Sequence, residues 1–317
     1  MATSFRLRPY NEYDSFYESL IRKNLGTFHI NLSHGLYSSN GPLVSPSISW
    51  NVNGLLLISR ASFVARLTGF NASFHGLEVP DIYHIVDGHV GAVMYRLQGP
   101  QTGPFENIPP SGEGIDVLGG ELMTFNKDAL LWDLKTVEEI SIAESQLLGK
   151  TAAGPLVTNL TSLLVENPQT SPEFRQHSRE AIASIHENFN SGNNAATSHL
   201  LSPNINVILG SSSNNTSPQA FVEMIAKWSK TFPDMVYHDD AVLADGKLGA
   251  SEWVWEGTQT GSYTAMNGTV LEPSGKSVRM RGFLFFEFTQ DGLINKVTGV
   301  WDEGVIEEQL NGGPAYP

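Results

Sequence analysis

Nearly the same five residues occur twice, Gly-Pro-Gln-Thr-Gly at 99–103 and Gly-Thr-Gln-Thr-Gly at 257–261. The register persists around them. At an offset of 158, Phe63 and Val64 fall on Phe221 and Val222, Phe74 on Phe232, Asp81 on Asp239, and Gly88 on Gly246. Five residues then enter the second stretch near Asn267, and the offset becomes 163. From there Pro110, Ser111 and Gly112 fall on Pro273, Ser274 and Gly275, Phe125 on Phe288, Asp128 on Asp291, and Gln146 and Leu147 on Gln309 and Leu310. A register held over roughly 80 residues with one insertion marks an internal repeat. No other feature constrains the fold as much, because whatever one half adopts, the other half must adopt too.

The repeat predicts two homologous domains, at 1–150 and 171–312, with a linker at 151–170 and a tail at 313–317. A chain of 317 residues is comfortable for two domains of ordinary size. The linker contains Thr-Ala-Ala-Gly-Pro and a second stretch rich in Pro, Ser and Thr. The more apolar Leu-Val-Thr-Asn-Leu-Thr-Ser-Leu-Leu-Val-Glu between them is expected to dock as a short helix.

Within the second half, Ser171 can cap a helix, Pro172 suits its first turn, and Ile182, Ile185 and Phe189 follow at helical spacing. Ser217 and Pro218 open a second helix, with Phe221, Ile225 and Trp228 as its apolar stripe. Strands follow, meeting at turns at Asp245-Gly246 and Asp291-Gly292. In the stretch 277–288, Met280, Leu284, Phe286 and Phe288 alternate with Arg279, Arg281, Phe283, Phe285 and Glu287. Both faces of that strand are expected to be buried, one under helices and one against the other half. The order predicts an α+β arrangement in each half, N-terminal helices on a curved antiparallel sheet, with the two copies forming a pseudo-dimer.

The net charge is −14, and no cluster of Lys and Arg could track phosphate, so neither nucleic acid nor an anionic membrane is an expected partner. Cysteine is absent, which excludes disulfides and thiolate chemistry. The nine histidines show no metal-ligand spacing, and no Gly-rich phosphate loop follows a strand, so neither metal nor cofactor is expected. The first residues carry no apolar run of the signal-peptide kind, and no stretch is apolar for long enough to span a membrane, so a cytoplasmic protein is expected.

The second half also resembles a known family. Phe-Val-Glu-Met-Ile-Ala-Lys-Trp-Ser-Lys-Thr-Phe-Pro-Asp-Met, Trp-Glu-Gly-Thr-Gln-Thr-Gly and the stretch from Pro273 to Leu310 look like the SnoaL-like polyketide cyclases. These lie within the larger set of cone-shaped folds that includes nuclear transport factor and ketosteroid isomerase. In the first half the loop 99–117 carries the resemblance. It implies a tandem pair of α+β cones, each with an apolar pocket and no cofactor. By motif, it implies catalytic roles for Asp302 and for Arg281. Arg281 stands where the family's cyclases have His, and arginine does not give up its proton at neutral pH. It would steady negative charge while Asp302 moves a proton.

Each candidate has a plainer reading. Asp302 is a general base, or it caps the helix after it. Arg281 and Arg279 bind an anionic group of a ligand, or pair with Glu252, Glu256 or Glu287 on the sheet. Trp253, Trp255, Trp301 and Phe283 line an aromatic pocket with Glu287 on the same sheet, or serve as core. Tyr263 gates a mouth or is a loop residue, and His186 faces the pocket or is a satisfied histidine. Carried across the repeat, Arg281 falls on Leu118, Asp302 on Glu139 and Trp253 on Tyr95, so the second half is expected to hold the working pocket. A different pocket in the first half, lined from His29, His34, Tyr37, Tyr83 and Tyr95, is the alternative.

The function that the resemblance implies is cofactor-free cyclisation, isomerisation or dehydration of a small apolar polyketide- or terpenoid-like substrate, a lyase or isomerase of secondary metabolism. The rivals are a non-catalytic carrier of an apolar molecule and an interaction module, with further homodimerisation left open.

Overall fold

The computed structural model describes residues 15–153, 164–165, 167, 169–209, 213–215, 217–265 and 267–314. Most of the expected linker helix, and the end of the tail, lie outside the described residues. The first half runs α1 (Ser15–Ser33), a 3-10 turn, β1 (Val44–Val52), β2 (Leu55–Ile58), α2 (Arg60–Ser73), β3 (Asp81–Asp87), β4 (Val90–Pro100), β5 (Gly114–Phe125), β6 (Leu131–Glu138) and α3 (Ile140–Leu147). The second runs α4 (Pro172–Asn190), α5 (Asn194–Thr197), β7 (Leu201–Leu209), β8 (Ser213–Asn215), α6 (Pro218–Thr231), β9 (Val236–Asp245) and β10 (Leu248–Thr258). A small ribbon, β11 (Tyr263–Thr264) and β12 (Val270–Leu271), precedes β13 (Ser277–Phe288), β14 (Ile294–Trp301) and α7 (Gly304–Leu310).

The local signals act as their chemistry requires. The Ser171 hydroxyl accepts from Phe174 N at the start of α4, and the Ser217 hydroxyl from Ala220 N at the start of α6. The β9–β10 and β13–β14 hairpins turn at Gly246 and Gly292, whose φ of 58° and 81° favour glycine. One strand pair per half was not foreseen. β1 and β7 run parallel to β6 and β14, so each sheet is mixed rather than a plain antiparallel meander.

Each half carries a six-stranded sheet, in the orders β2-β1-β6-β5-β4-β3 and β8-β7-β14-β13-β10-β9. These are the same order, position for position. The expectation of a cone is corrected, however. β2 and β3 end the first sheet, β8 and β9 end the second, and neither end strand pairs with its opposite. Closure needs strands long enough to tilt and stagger around a barrel. β2 has four residues and β8 three, and a helix follows each almost at once, so both sheets stay open.

Both faces of each sheet are buried. Helices cover one face, giving one core around Leu25, Phe28, Phe63 and Phe74 and another around Ile182, Ile185, Phe221 and Trp255. The other faces meet in a third core, where Tyr83, Ile85 and Met94 pack with Leu243, Phe283 and Phe285. The alternation in β13 sorts as expected, with Leu284 and Phe286 under helices and Phe283 and Phe285 against the first half.

The junction between halves is reciprocal. Asp87 accepts from Ala244 N, and Asp245 from Val86 N, both at 3.0 Å. Arg179 pairs with Asp87 at 2.9 Å and Arg22 with Asp245 at 2.8 Å. Such exchanged contacts are what a two-fold relation between the halves produces. No described helix is long and apolar enough to cross a membrane.

Candidate functional site: two unlike cavities under the sheets

Each half holds a cavity between its helices and its sheet. In the second half, α4 contributes His186 and Phe189, α6 contributes Phe221, Ile225 and Trp228, and the sheet contributes Tyr237, Trp253, Trp255, Leu284 and Trp301. The interior is about 40 Å³, well below the roughly 150 Å³ of a cavity that holds benzene, so a ring-sized ligand enters only if side chains move. Gly282, opposite Trp253 on the next strand, makes the wall possible. A Cβ there would stand 2.3 Å from the Trp253 ring.

His186 is the titratable group of that cavity. It is 2 % exposed. Its Nδ1 lies 2.5 Å from Asp239 Oδ1 on β9, and its ring stacks on Tyr237 at 5.0 Å, tilted by only 2°. A carboxylate only accepts, so Nδ1 carries the hydrogen. In the neutral ring Nε2 then holds a lone pair, and among the described residues Nε2 has no hydrogen-bond partner. The Trp253 indole N–H is likewise buried without a partner. Burial raises the Tyr237 hydroxyl far above its ordinary range, so it stays protonated.

The other expected residues are distributed differently. Trp253, Trp255, Trp301 and His186 do come together around the cavity. Tyr263 packs behind it against Trp228 and Phe232. Phe283 and Glu287 face the first half, where Glu287 accepts from Tyr83 at 2.6 Å and pairs with Lys296 at 3.1 Å. The Arg279 backbone N–H donates to Gln309 Oε1 and its carbonyl accepts from Gln309 Nε2. Arg281 pairs with buried Glu252 at 3.0 Å, as its plainer reading held. Asp302 accepts from Gly304 N at 3.1 Å at the start of α7, and from Ser141 N of the first half at 3.4 Å. Burial raises Asp302 to about 6, although the bonds from Ser141 and Gly304 oppose it. Asp302 and Arg281 line neither of these two cavities. Alternation sends Arg281 to the junction face, and Asp302 lies past the end of β14, where the chain turns into α7.

The first-half cavity, about 50 Å³, has the same position and another chemistry. Tyr37, Trp50, Phe70 and Tyr95 supply its aromatic walls, and Glu121, Glu138 and Arg66 its charges. His29 stands behind the wall, its Nδ1 2.8 Å from Asp81 and its Nε2 3.2 Å from Glu121. Burial alone would lower its pKa, but Asp81 and then Glu121 hold it up at about 10. Burial would raise Asp81, yet His29 and His84 keep it down at about 2. Tyr95 donates to Glu138 at 3.0 Å. Burial, with Glu121 adding to it against the Tyr95 bond, raises Glu138 to about 7. Of the alternative residues, His29, Tyr37 and Tyr95 belong here, while His34 is exposed and bonds to Ile30 O, and Tyr83 lies at the junction.

A histidine on the first helix and an aspartate on the last strand of the shared order thus recur in both halves, His29 with Asp81 and His186 with Asp239. The aspartates match at the offset of 158. The histidines match at 157, one residue out of that register. Asp239, Tyr237, Glu121 and Glu138 were not expected at a site.

Residues 180–310 match the sequence profile of a family described as SnoaL-like polyketide cyclase. No curated protein matches the chain. Among solved structures the chain is similar to a protein provisionally described as a SnoaL-like polyketide cyclase from Jannaschia sp. CCS1, at 16% identity over 46% of this chain and 99% of that one, with a TM-score of 0.40. It is also similar to a SnoaL-like polyketide cyclase from Agrobacterium tumefaciens str. C58, at 18% identity over 42% of this chain and 97% of that one, with a TM-score of 0.36.

Proposed function

We propose that the second-half cavity is an acid–base active site for a small apolar carbonyl compound, with His186 as the group that moves the proton. The observation that carries this reading is the bare, buried Nε2 of His186 at the cavity wall, with Nδ1 anchored on Asp239. Nε2 takes a proton from carbon beside the carbonyl, and Asp239 stabilises the imidazolium that forms. The Trp253 N–H suits the developing enolate oxygen, and the aromatic walls hold the apolar body. Return of the proton to another carbon isomerises the substrate, and attack of the enolate on a second carbonyl closes a ring. The family profile over 180–310 agrees with that reaction class. The strand order and the exchanged Asp87 and Asp245 contacts support reading the halves, at 1–150 and 171–312, as two copies packed as subunits of a dimer pack.

Deuterium uptake by cyclohexanone in buffered D2O, followed by NMR, tests the reading. The intact chain is expected to accelerate uptake, and His186→Ala to lower the rate by about 10²–10⁴. Binding of the ketone without uptake returns the function to an apolar carrier. Uptake that His186→Ala leaves unchanged overturns the assignment.

A further inference from the structure

The first-half cavity is not a faded copy of the second. Three wall positions differ in kind. Tyr95 stands where the second half has Trp253, Glu121 where it has Leu284, and Glu138 where it has Trp301. The exchange of Leu and Trp for two glutamates turns an apolar wall into an acidic one, while the helix side is apolar at Leu32, Leu67 and Phe70 and carries Arg66. The profile match at 180–310 does not reach this cavity.

The charges facing it can be followed one by one. Glu121 is 4 % exposed and spends one oxygen on His29 Nε2 and the other on Thr136 Oγ1, each at 3.2 Å. Thr136 Oγ1 in turn accepts from Trp50 Nε1 at 2.9 Å, which fixes its hydrogen toward Glu121. His29 is shared between Asp81 and Glu121, and the His84 ring stands at 2.5 Å from the other Asp81 oxygen; with His84 neutral the cluster keeps a net negative charge. Glu138 has one neutral donor, the Tyr95 hydroxyl. Arg66 is the cation lining the cavity, and it acts on Glu138 from beyond ion-pair distance. With Glu138 ionised, three carboxylates, Asp81, Glu121 and Glu138, face two cations, His29 and Arg66, in a desolvated place, and the same carboxylates, led by Glu138, add to burial in holding the Tyr95 proton. A ligand cation is what this wall lacks, and four aromatic rings suit one.

We propose that the first-half cavity is a second ligand site, which takes a small apolar organic amine with its ammonium group on Glu138 and its body among Tyr37, Trp50, Phe70 and Tyr95. Glu138 must be ionised to pair with the ammonium. Its pKa of about 7 therefore makes affinity rise from pH 6 to pH 8, while the amine stays protonated throughout. Binding near pH 7 then releases a proton from Glu138.

Isothermal titration of the full chain with benzylamine, benzyl alcohol and benzoate at pH 6, 7 and 8 tests this. Benzylamine is expected to bind about tenfold or more tightly than the isosteric alcohol, and Glu138→Gln to remove most of that preference. Heats at pH 7 in buffers of different ionisation enthalpy are expected to show proton release in the intact chain and none in Glu138→Gln. Equal affinity for alcohol and amine, preference for benzoate through Arg66, no binding by any of the three, or amine binding that Glu138→Gln leaves unchanged would each overturn the proposal. None of these readouts involves His186, so the second-half reading stands or falls separately.

Discussion

His29 and His186 occupy the same place in two sheets of the same strand order, and their second nitrogens meet different residues. Behind His29 stands Glu121, which accepts from Nε2 and, after Asp81, helps to hold the ring as a cation. At the equivalent position beside His186 stands Leu284, which neither accepts nor donates. One substitution in the wall thus separates a locked histidine from an available one. Among the groups lining the first-half cavity, burial raises the Glu138 carboxyl to about 7. A shared scaffold fixes where a side chain sits, but the electrostatic role comes from the two or three neighbours that scaffold leaves free to vary.

The comparison is most exposed to a transplant. Leu284→Glu is expected to occupy His186 Nε2 as Glu121 occupies His29, and to lower the cyclohexanone exchange rate by about 10²-fold or more. Exchange that survives would mean that the bare nitrogen is not what distinguishes the halves. Next in size are the glycines that admit the cavity aromatics. Gly282→Ala and Gly119→Ala each place a Cβ about 2.3 Å from the Trp253 or Tyr95 ring. Each is expected to cost about 1–3 kcal/mol in urea unfolding. If only one does, the two walls are not packed alike.

The pH dependence of stability sharpens the contrast further. Glu138 and Glu139 are raised from an ordinary 4.5 to about 7 and about 8, first by burial. Folding therefore strengthens their hold on protons. Their contribution is full below pH 4.5 and is lost as pH rises through 7 and 8. His29, raised from 6.5 to about 10, contributes fully below pH 6.5 and loses that contribution as pH rises through 10. All three slopes have the same sign, so the melting temperature is expected to fall by roughly 5 °C or more between pH 5 and pH 9. Calorimetry of Glu138→Gln should show a flatter slope below pH 8, and of His29→Gln a flatter slope above pH 7. The smallest effect belongs to the helix cap. Ser171→Ala removes the acceptor for Phe174 N at the start of α4 and is expected to cost about 1 kcal/mol in the same unfolding assay.

Much of the fold was legible because its signals are local. Ser171, Pro172 and Ser217 announce helices, Asp245-Gly246 and Asp291-Gly292 announce hairpins, and the alternation in 277–288 assigns Leu284 and Phe285 to opposite faces. The parallel pairing of β1 with β6 joins residues more than 80 apart, and no local pattern carries it. The site was legible only in part. The tryptophans and His186 were expected, whereas Asp302 was placed by motif and lies instead at the start of α7 beside Ser141. Arg281 was chosen for its charge, but its charge is spent on Glu252 across the strand pair.

By itself the sequence shows one residue register running twice through the chain, because a register needs only residue identities at a fixed spacing. It also determined which residues share a strand face, because alternation is a property of the backbone. That neither sheet closes, that Nε2 of His186 is bare while Nε2 of His29 is held, and that Glu138 is starved of a counter-charge were decided by tertiary structure alone. Each depends on which distant side chain arrives within about 3 Å of a given atom, and hydrogen bonds and ion pairs in a desolvated interior are decided at that range.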